Sequence, residues 1–184
     1  SVKNMSAIIK AHLDEHLLVL VSAMGKTTNA FEHLLSLTME VQDDSEALKD
    51  IQNYHLNIVS DLGLGGNQQL STEINEIFEQ LENSLSEFSS SMGYDYMYDQ
   101  TVSLGEILST KIIAAFLNAE GISTSWLDAR KVVKTDSLHR QAQVDWGASQ
   151  AMIKSQVNQQ LEDGIVLTQG FIGSDSDFKT TTLG

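Results

Sequence analysis

Apolar positions recur at helical spacing through Met5, Ile8, Ile9 and Leu13, with His12 on the same stripe, which predicts a helix from about residue 5 to 15. The pattern then changes abruptly. Leu17-Leu18-Val19-Leu20-Val21 is short, partly β-branched and apolar at consecutive positions, which predicts a strand buried on both faces, as in a parallel sheet. Next come the small and polar residues Ser22 to Asn29, followed by a helical stripe through Ala30, Phe31, Leu34, Leu35 and Leu37. Strand, small-residue loop and helix N-terminus together form an arrangement that collects phosphate or carboxylate groups on backbone N–H donors.

Two amphipathic stripes follow, one through Ala47, Leu48, Ile51, Tyr54, His55, Ile58 and Val59, the other through Ile74, Ile77, Phe78, Leu81, Leu85 and Phe88. The glycine-rich break Asp61 to Asn67 separates them and predicts an antiparallel helical pair within residues 44–92. Gly93 to Gln100 reads as aromatic and irregular, and Leu104 to Leu117 as a largely buried helix. Ile122 to Leu127 predicts a second strand, Val132-Val133 a short third, Trp146 to Leu161 a helix, and Ile165 to Thr168 a further buried strand. Strands alternating with helices imply a mainly parallel α/β sheet, whose ligands gather where loops leave the carboxyl ends of strands. Ser22–Asn29, Asp128–Arg130 and Gln169–Gly173 are the segments at such ends.

A length of 184 residues fits one domain. Eleven basic against twenty-five acidic residues give a net charge of −14, which opposes a phosphate backbone and argues against nucleic acid as a partner. Thirteen of the acids lie between Glu40 and Asp99, against the single Lys49, and a solvated acidic face explains them better than a cation-binding surface. The absence of cysteine excludes disulfides and thiolate metal sites. No apolar run approaches the roughly 18 residues that span a bilayer, so no membrane partner is expected. The start Ser1-Val2-Lys3-Asn4 resembles neither a signal peptide nor an initiator terminus, so a longer parent and a cytoplasmic setting are the expectations.

Single motifs are weak. Gly25-Lys26-Thr27 suggests a Walker A loop, but that pattern needs glycine where Leu20 stands inside the strand. Gly63, Gly65 and Gly66 lack the dinucleotide spacing and lie between helices. The five histidines show no zinc spacing, which predicts surface or cap positions, and no Gly-x-Ser-x-Gly elbow occurs. Ser103-Leu104-Gly105-Glu106 places a carboxylate in the expected first turn of an apolar helix. There Glu106 either favours the helix dipole, with Ser103 as cap, or faces a ligand.

In series the segments become specific. Val19 to Asn29, Ser103-x-Gly105-Glu106, Trp126-Leu127-Asp128-Ala129-Arg130, Gln169-Gly170-Phe171-Ile172-Gly173 and Thr180-Thr181-Thr182-Leu183-Gly184 resemble, in order and separation, the motifs of aspartate kinases. The resemblance covers essentially residues 1–184. It implies a three-layer α/β/α amino-acid-kinase fold in which the chain is an internal, substrate-binding part of the catalytic domain, with the acidic helical pair inserted. It further implies transfer of the ATP γ-phosphate to the β-carboxylate of L-aspartate, in the biosynthesis of lysine, threonine and methionine, with ATP and Mg2+ serving the complete enzyme and a homo-oligomer as its assembly.

By the same resemblance Ser22 and Thr28 help place aspartate or the phosphoryl group, Glu106 holds the substrate's α-amino group, and Gly170 and Phe171 line the aspartate site. Gly173, Thr182 and Gly184 are candidates for nucleotide contacts. The family's Lys-Phe-Gly-Gly-Thr-Ser segment is not found before Ser1, nor its Arg-Gly-Gly-Ser-Asp continuation after Gly184. No catalytic residue is therefore assigned within the chain, which alone is expected to bind ATP poorly and turn over little. Lys26 stands where relatives carry a small residue and receives no role. Acetylglutamate, carbamate, uridylate and glutamate-5 kinases share the architecture and form the alternative enzymatic reading. A non-catalytic binding module built on the acidic helices is the alternative from another class.

Overall fold

The computed structural model describes residues 2–183, without the side chain of Ser90. Its elements run α1 (Val2–Lys10), β1 (Leu18–Val21), α2 (Thr27–Met39), α3 (Ser45–Asp61) and α4 (Gln68–Glu87), followed by a 3-10 turn (Ser90–Met92) and α5 (Tyr94–Ala119). Then come β2 (Thr124–Leu127), α6 (Ala129–Val132), α7 (Trp146–Asp163), β3 (Ile165–Gln169), β4 (Ile172–Ser174) and β5 (Thr180–Thr182).

One sheet has the order β1-β3-β2 with every pairing parallel, as the alternation of strands and helices predicts. Strand β3 lies in the centre, and its burial on both faces follows from what covers them. Ile165 and Leu167 pack with Ile113 and Leu117 of α5 and Ile9 of α1, while Val166 packs on the other side with Val157 of α7 and Val132 of α6. Helices thus cover both faces of a parallel sheet, giving the expected three layers. A small antiparallel pair, β4 with β5, follows β3.

Strand β1 departs from expectation. Val19 and Val21 are half-buried, but Leu18 and Leu20 are 43% and 61% exposed. Partners in a parallel register share a face, so Leu18 and Leu20 lie on the α7 side with their partners Val166 and Thr168. Helix α7 packs on β3, and β1 is the edge strand beyond it.

The stripes of α3 and α4 are buried as their spacing predicts, and both feed one cluster with α2 and α5. Asn67 caps α4 by accepting from the Leu70 N–H at 3.0 Å. His55, expected at the surface, is wholly buried within this cluster. Its Nδ1 lies 2.8 Å from the Ile51 carbonyl, its ring meets Phe78 at 6.3 Å between centroids, and its Nε2 has no partner among the described residues.

Three boundaries also move. Helix α1 stops at Lys10, where exposed turns replace the expected continuation to residue 15. Val132-Val133 is no strand, because the Asp128 carboxylate accepts the Arg130 N–H at 3.0 Å and starts the short helix α6 instead. Most consequential is α5. The segment after Gly93, expected to be irregular, is the first two turns of a 26-residue helix that buries Met97, Tyr98, Asp99 and Val102. Core packing of these side chains outweighs the modest helix propensity of tyrosine and aspartate.

Candidate active site

The site is assembled where β1 and β3 end side by side. Val21 pairs with Gln169, so Ser22 and Gly170 leave the sheet as neighbours, and the Gly170 N–H donates to the Val21 carbonyl at 3.3 Å. A Cβ on Gly170 would stand 3.9 Å from the Ser22 Oγ. Phe171 follows with φ at 69°, a left-handed conformation costing a non-glycine residue on the order of 1 kcal/mol. The turn is held by the Ile172 N–H donating to the Gly170 carbonyl at 2.9 Å and the Leu183 N–H donating to the Phe171 carbonyl at 2.8 Å. The Phe171 side chain remains 38% exposed.

Helix α5 supplies the wall beside these loops. Ser109 Oγ donates to the Ser22 carbonyl at 2.8 Å, which fixes the β1 loop against the helix. Gly105 permits the close approach, since a Cβ there would lie 3.1 Å from Thr27 Cγ2 and 3.3 Å from the Ala23 Cβ. Between Gly105 and Ser109, Glu106 is 4% exposed. It stands in the middle of α5, not in the first turn, and Ser103 is buried mid-helix and caps nothing. The helix-dipole account of Glu106 therefore falls, because a terminal charge effect fades within the first turn.

Burial pushes the Glu106 carboxyl up to about 7, and the Ala23 backbone N–H only partly offsets this. Its Oε2 has no hydrogen-bond partner among the described residues. A buried carboxylate with an unmatched oxygen calls for a donor, and a cationic one satisfies it best.

The structure thus places the Ser22–Ala23 loop beside Gly170 on one side and beside the α5 turn of Gly105 and Glu106 on the other, with Phe171 next along the chain from Gly170. Thr28 lies in the first turn of α2, which begins where the same loop ends, and its side chain is half-buried. The more buried hydroxyl there is that of Thr27, which donates to the Met24 carbonyl. Two of the three nucleotide candidates have packing or hydrogen-bond partners within the chain. Gly173 lets β4 pass the preceding segment, since a Cβ would lie 2.8 Å from the Val133 carbonyl. Thr182 is wholly buried and donates its hydroxyl to Asp99 at 2.6 Å. Gly184 lies outside the described residues. No three His, Cys, Asp or Glu side chains converge to hold a metal among the described residues. Mg2+ characteristically takes most of its ligands from phosphates and water.

Two groups of residues received no role of their own in the sequence reading. Asp99 is wholly buried and accepts from His139 Nδ1 at 2.9 Å, the Arg140 N–H at 3.1 Å, and the Thr182 N–H and hydroxyl. It lies two helical turns before Glu106, a signal visible only once residues 94–119 are read as one helix. Gln169 and Thr110 form the second group. Gln169 Nε2 donates to Thr110 Oγ1 at 2.7 Å, and its Oε1 accepts the Ala129 N–H at 2.7 Å.

This order of elements and motifs is matched over nearly the whole chain by a known family. The model of the amino acid kinase family aligns with residues 1–182. The chain belongs to the amino acid kinase family. Within it, the chain is 31% identical over 167 residues to lysine-sensitive aspartokinase 3 of Escherichia coli strain K12, covering 91% of this chain and 36% of that protein. It is 30% identical over 166 residues to the aspartokinase of Chlamydia trachomatis, covering 90% of this chain and 36% of that relative. The chain spans about a third of the length of these curated relatives.

Among solved structures, Escherichia coli aspartokinase III in complex with aspartate and ADP superposes with a TM-score of 0.85 at 27% identity, covering 100% of this chain and 40% of that one. The same enzyme with lysine and aspartate gives 0.85 at 28% identity, with the same coverage. The three-layer kinase fold expected from the motifs is thereby established for this member of the family.

Proposed function

We propose that this chain forms the amino-acid-binding part of an aspartate kinase, which transfers the γ-phosphate of ATP to the β-carboxylate of L-aspartate and yields 4-phospho-L-aspartate. The observation that carries the reading is the buried, half-partnered Glu106 carboxylate beside the Ser22–Ala23 loop, a loop that also neighbours Gly170. The α-ammonium of an amino acid is the donor that this oxygen lacks. Support comes from the similarity to aspartokinases, one of them solved with aspartate and ADP.

The chemistry asks little of the protein beyond placement. A β-carboxylate is ionised at neutral pH, so it attacks phosphorus without a general base. The barrier is lowered by aligning nucleophile and phosphoryl group and by offsetting their mutual repulsion. Glu106 anchors the ammonium, the Ser22 and Thr28 hydroxyls and the loop N–H groups orient the carboxylates, and Phe171 packs beside the bound substrate from the strand-end turn. ATP with Mg2+ supplies the phosphoryl group and part of the compensating positive charge when bound.

The test is a hydroxamate assay for aspartyl phosphate on the complete gene product, with N-acetylglutamate, glutamate, carbamate and uridylate as competing acceptors. ATP-dependent product from L-aspartate alone supports the reading. Preferred phosphorylation of another acceptor replaces it.

A further inference from the structure

We propose that Gln169 is a positioning residue for the amino-acid site, fixing the Glu106 carboxylate relative to the Gly170–Phe171 turn. The inference rests on the aspartate reading above. Gln169 is the last residue of β3 and is 3% exposed. It shares the face of the sheet that packs on α5, with Leu167 two residues before it. The side chain reaches two other elements at once, Thr110 on α5 and the first N–H of α6 at Ala129, each at 2.7 Å.

Thr110 completes the tie. Its hydroxyl proton is used on the carbonyls of Glu106 at 2.9 Å and Ile107 at 3.1 Å, while its oxygen accepts from both Gln169 Nε2 and Trp126 Nε1, the latter at 2.9 Å. The donor and acceptor capacity of this hydroxyl is then filled. The amide orientation of Gln169 is fixed as well, because Ala129 offers only a donor and the Thr110 proton is already committed. One buried amide therefore links β3, α6 and the α5 turn that carries Glu106, and the residue after it is Gly170.

An apolar side chain of equal volume would fill the same space. Burying an amide costs free energy that its hydrogen bonds roughly restore, so the tie gives geometric definition more than net stability. What it defines is the distance from the anion that receives the ammonium to the turn that walls the site. Loss of the tie should weaken capture of aspartate and leave the nucleotide side unaffected.

The experiment measures steady-state kinetics of Gln169→Leu in the complete gene product. The aspartate KM is expected to rise about tenfold, with kcat and the ATP KM each within about threefold of the unaltered protein. Gln169→Met, which keeps length and flexibility without the hydrogen bonds, is expected to behave alike. Equal losses in both KM values and kcat, or failure of both variants to fold, would make Gln169 merely structural and overturn the proposal. An unchanged aspartate KM in a folded variant would overturn it too, leaving the aspartate reading intact. If the unaltered protein does not phosphorylate aspartate, the underlying reading fails, and this proposal with it.

Discussion

The Ser109 hydroxyl donates to the Ser22 carbonyl at 2.8 Å, joining residues 87 apart in sequence at the point where the first strand turns into its loop. Ser109 is wholly buried, and Glu106 lies three residues before it on the same helix. The contact therefore sets the height of the Ser22–Ala23 loop above the carboxylate. Gly105 makes that height possible by presenting no Cβ to Thr27 and Ala23. The helix turn that carries Glu106 and a strand-end loop are thus held in register by one hydrogen bond and one missing methyl group.

Stability should depend on pH through Glu106. Its carboxyl sits near 7 in the folded chain against an ordinary 4.5, so between those values the folded protein holds a proton that the unfolded chain has released. Stability from this group is fully present below 4.5 and is lost as pH rises to about 7. Glu106→Gln should remove the dependence and gain on the order of 3 kcal/mol at pH 8 in denaturant unfolding. A variant whose unfolding free energy tracks the unaltered chain across this range would contradict the burial argument.

His55 acts with the opposite sign. Burial holds its imidazole below the ordinary 6.5, partly offset by the Ile51 carbonyl, so the unfolded chain takes up a proton first as the solution is acidified. Stability from this group is present above 6.5 and is lost as pH falls below it. Replacing it, as His55→Leu, should flatten the acid side of a stability–pH profile measured by urea unfolding. An unchanged acid limb would place the sensitivity elsewhere.

Asp99 should prove costly to remove. Asp99→Ala leaves the Thr182 and Arg140 N–H groups without their acceptor and takes the partner from His139. Hydrogen bonds to a charged group are individually strong, so a loss on the order of 3 kcal/mol in urea unfolding is expected. A loss below about 1 kcal/mol would mean that water replaces these contacts freely.

The edge strand offers a solubility prediction. Leu18 and Leu20 are exposed along β1, whose outer edge has no strand neighbour among the described residues. Such an edge invites pairing between chains. Sedimentation of the 184-residue chain should show concentration-dependent association that Leu20→Lys reduces, with the circular dichroism spectrum unchanged. A monomer at high concentration would refute this.

Periodicity revealed much of this fold and missed specific parts of it for identifiable reasons. The stripes of α3 and α4 and the run at Ile165 were legible because burial there follows local spacing. Exposure of Leu18 and Leu20 was not, since it depends on where α7 lies over the sheet. Tyr94 to Gln100 concealed two helical turns because its polar members face partners distant in sequence, as Asp99 faces Thr182. Ser22, Glu106, Gly170 and Phe171 could be named from motifs. Gln169 could be placed in a motif but not given a partner, since its hydrogen bonds appear only when Thr110 and Ala129 are seen at its two ends.

The account stands most directly on binding of L-aspartate measured by titration calorimetry at pH 8, with the complete gene product beside its Glu106→Gln variant. The unaltered protein should bind L-aspartate, and the variant should bind at least tenfold more weakly while neither binds succinate, which lacks the amino group, with comparable strength. Equal affinity of both proteins for L-aspartate would show that Glu106 does not receive the ammonium, and the site described here would lose its central contact.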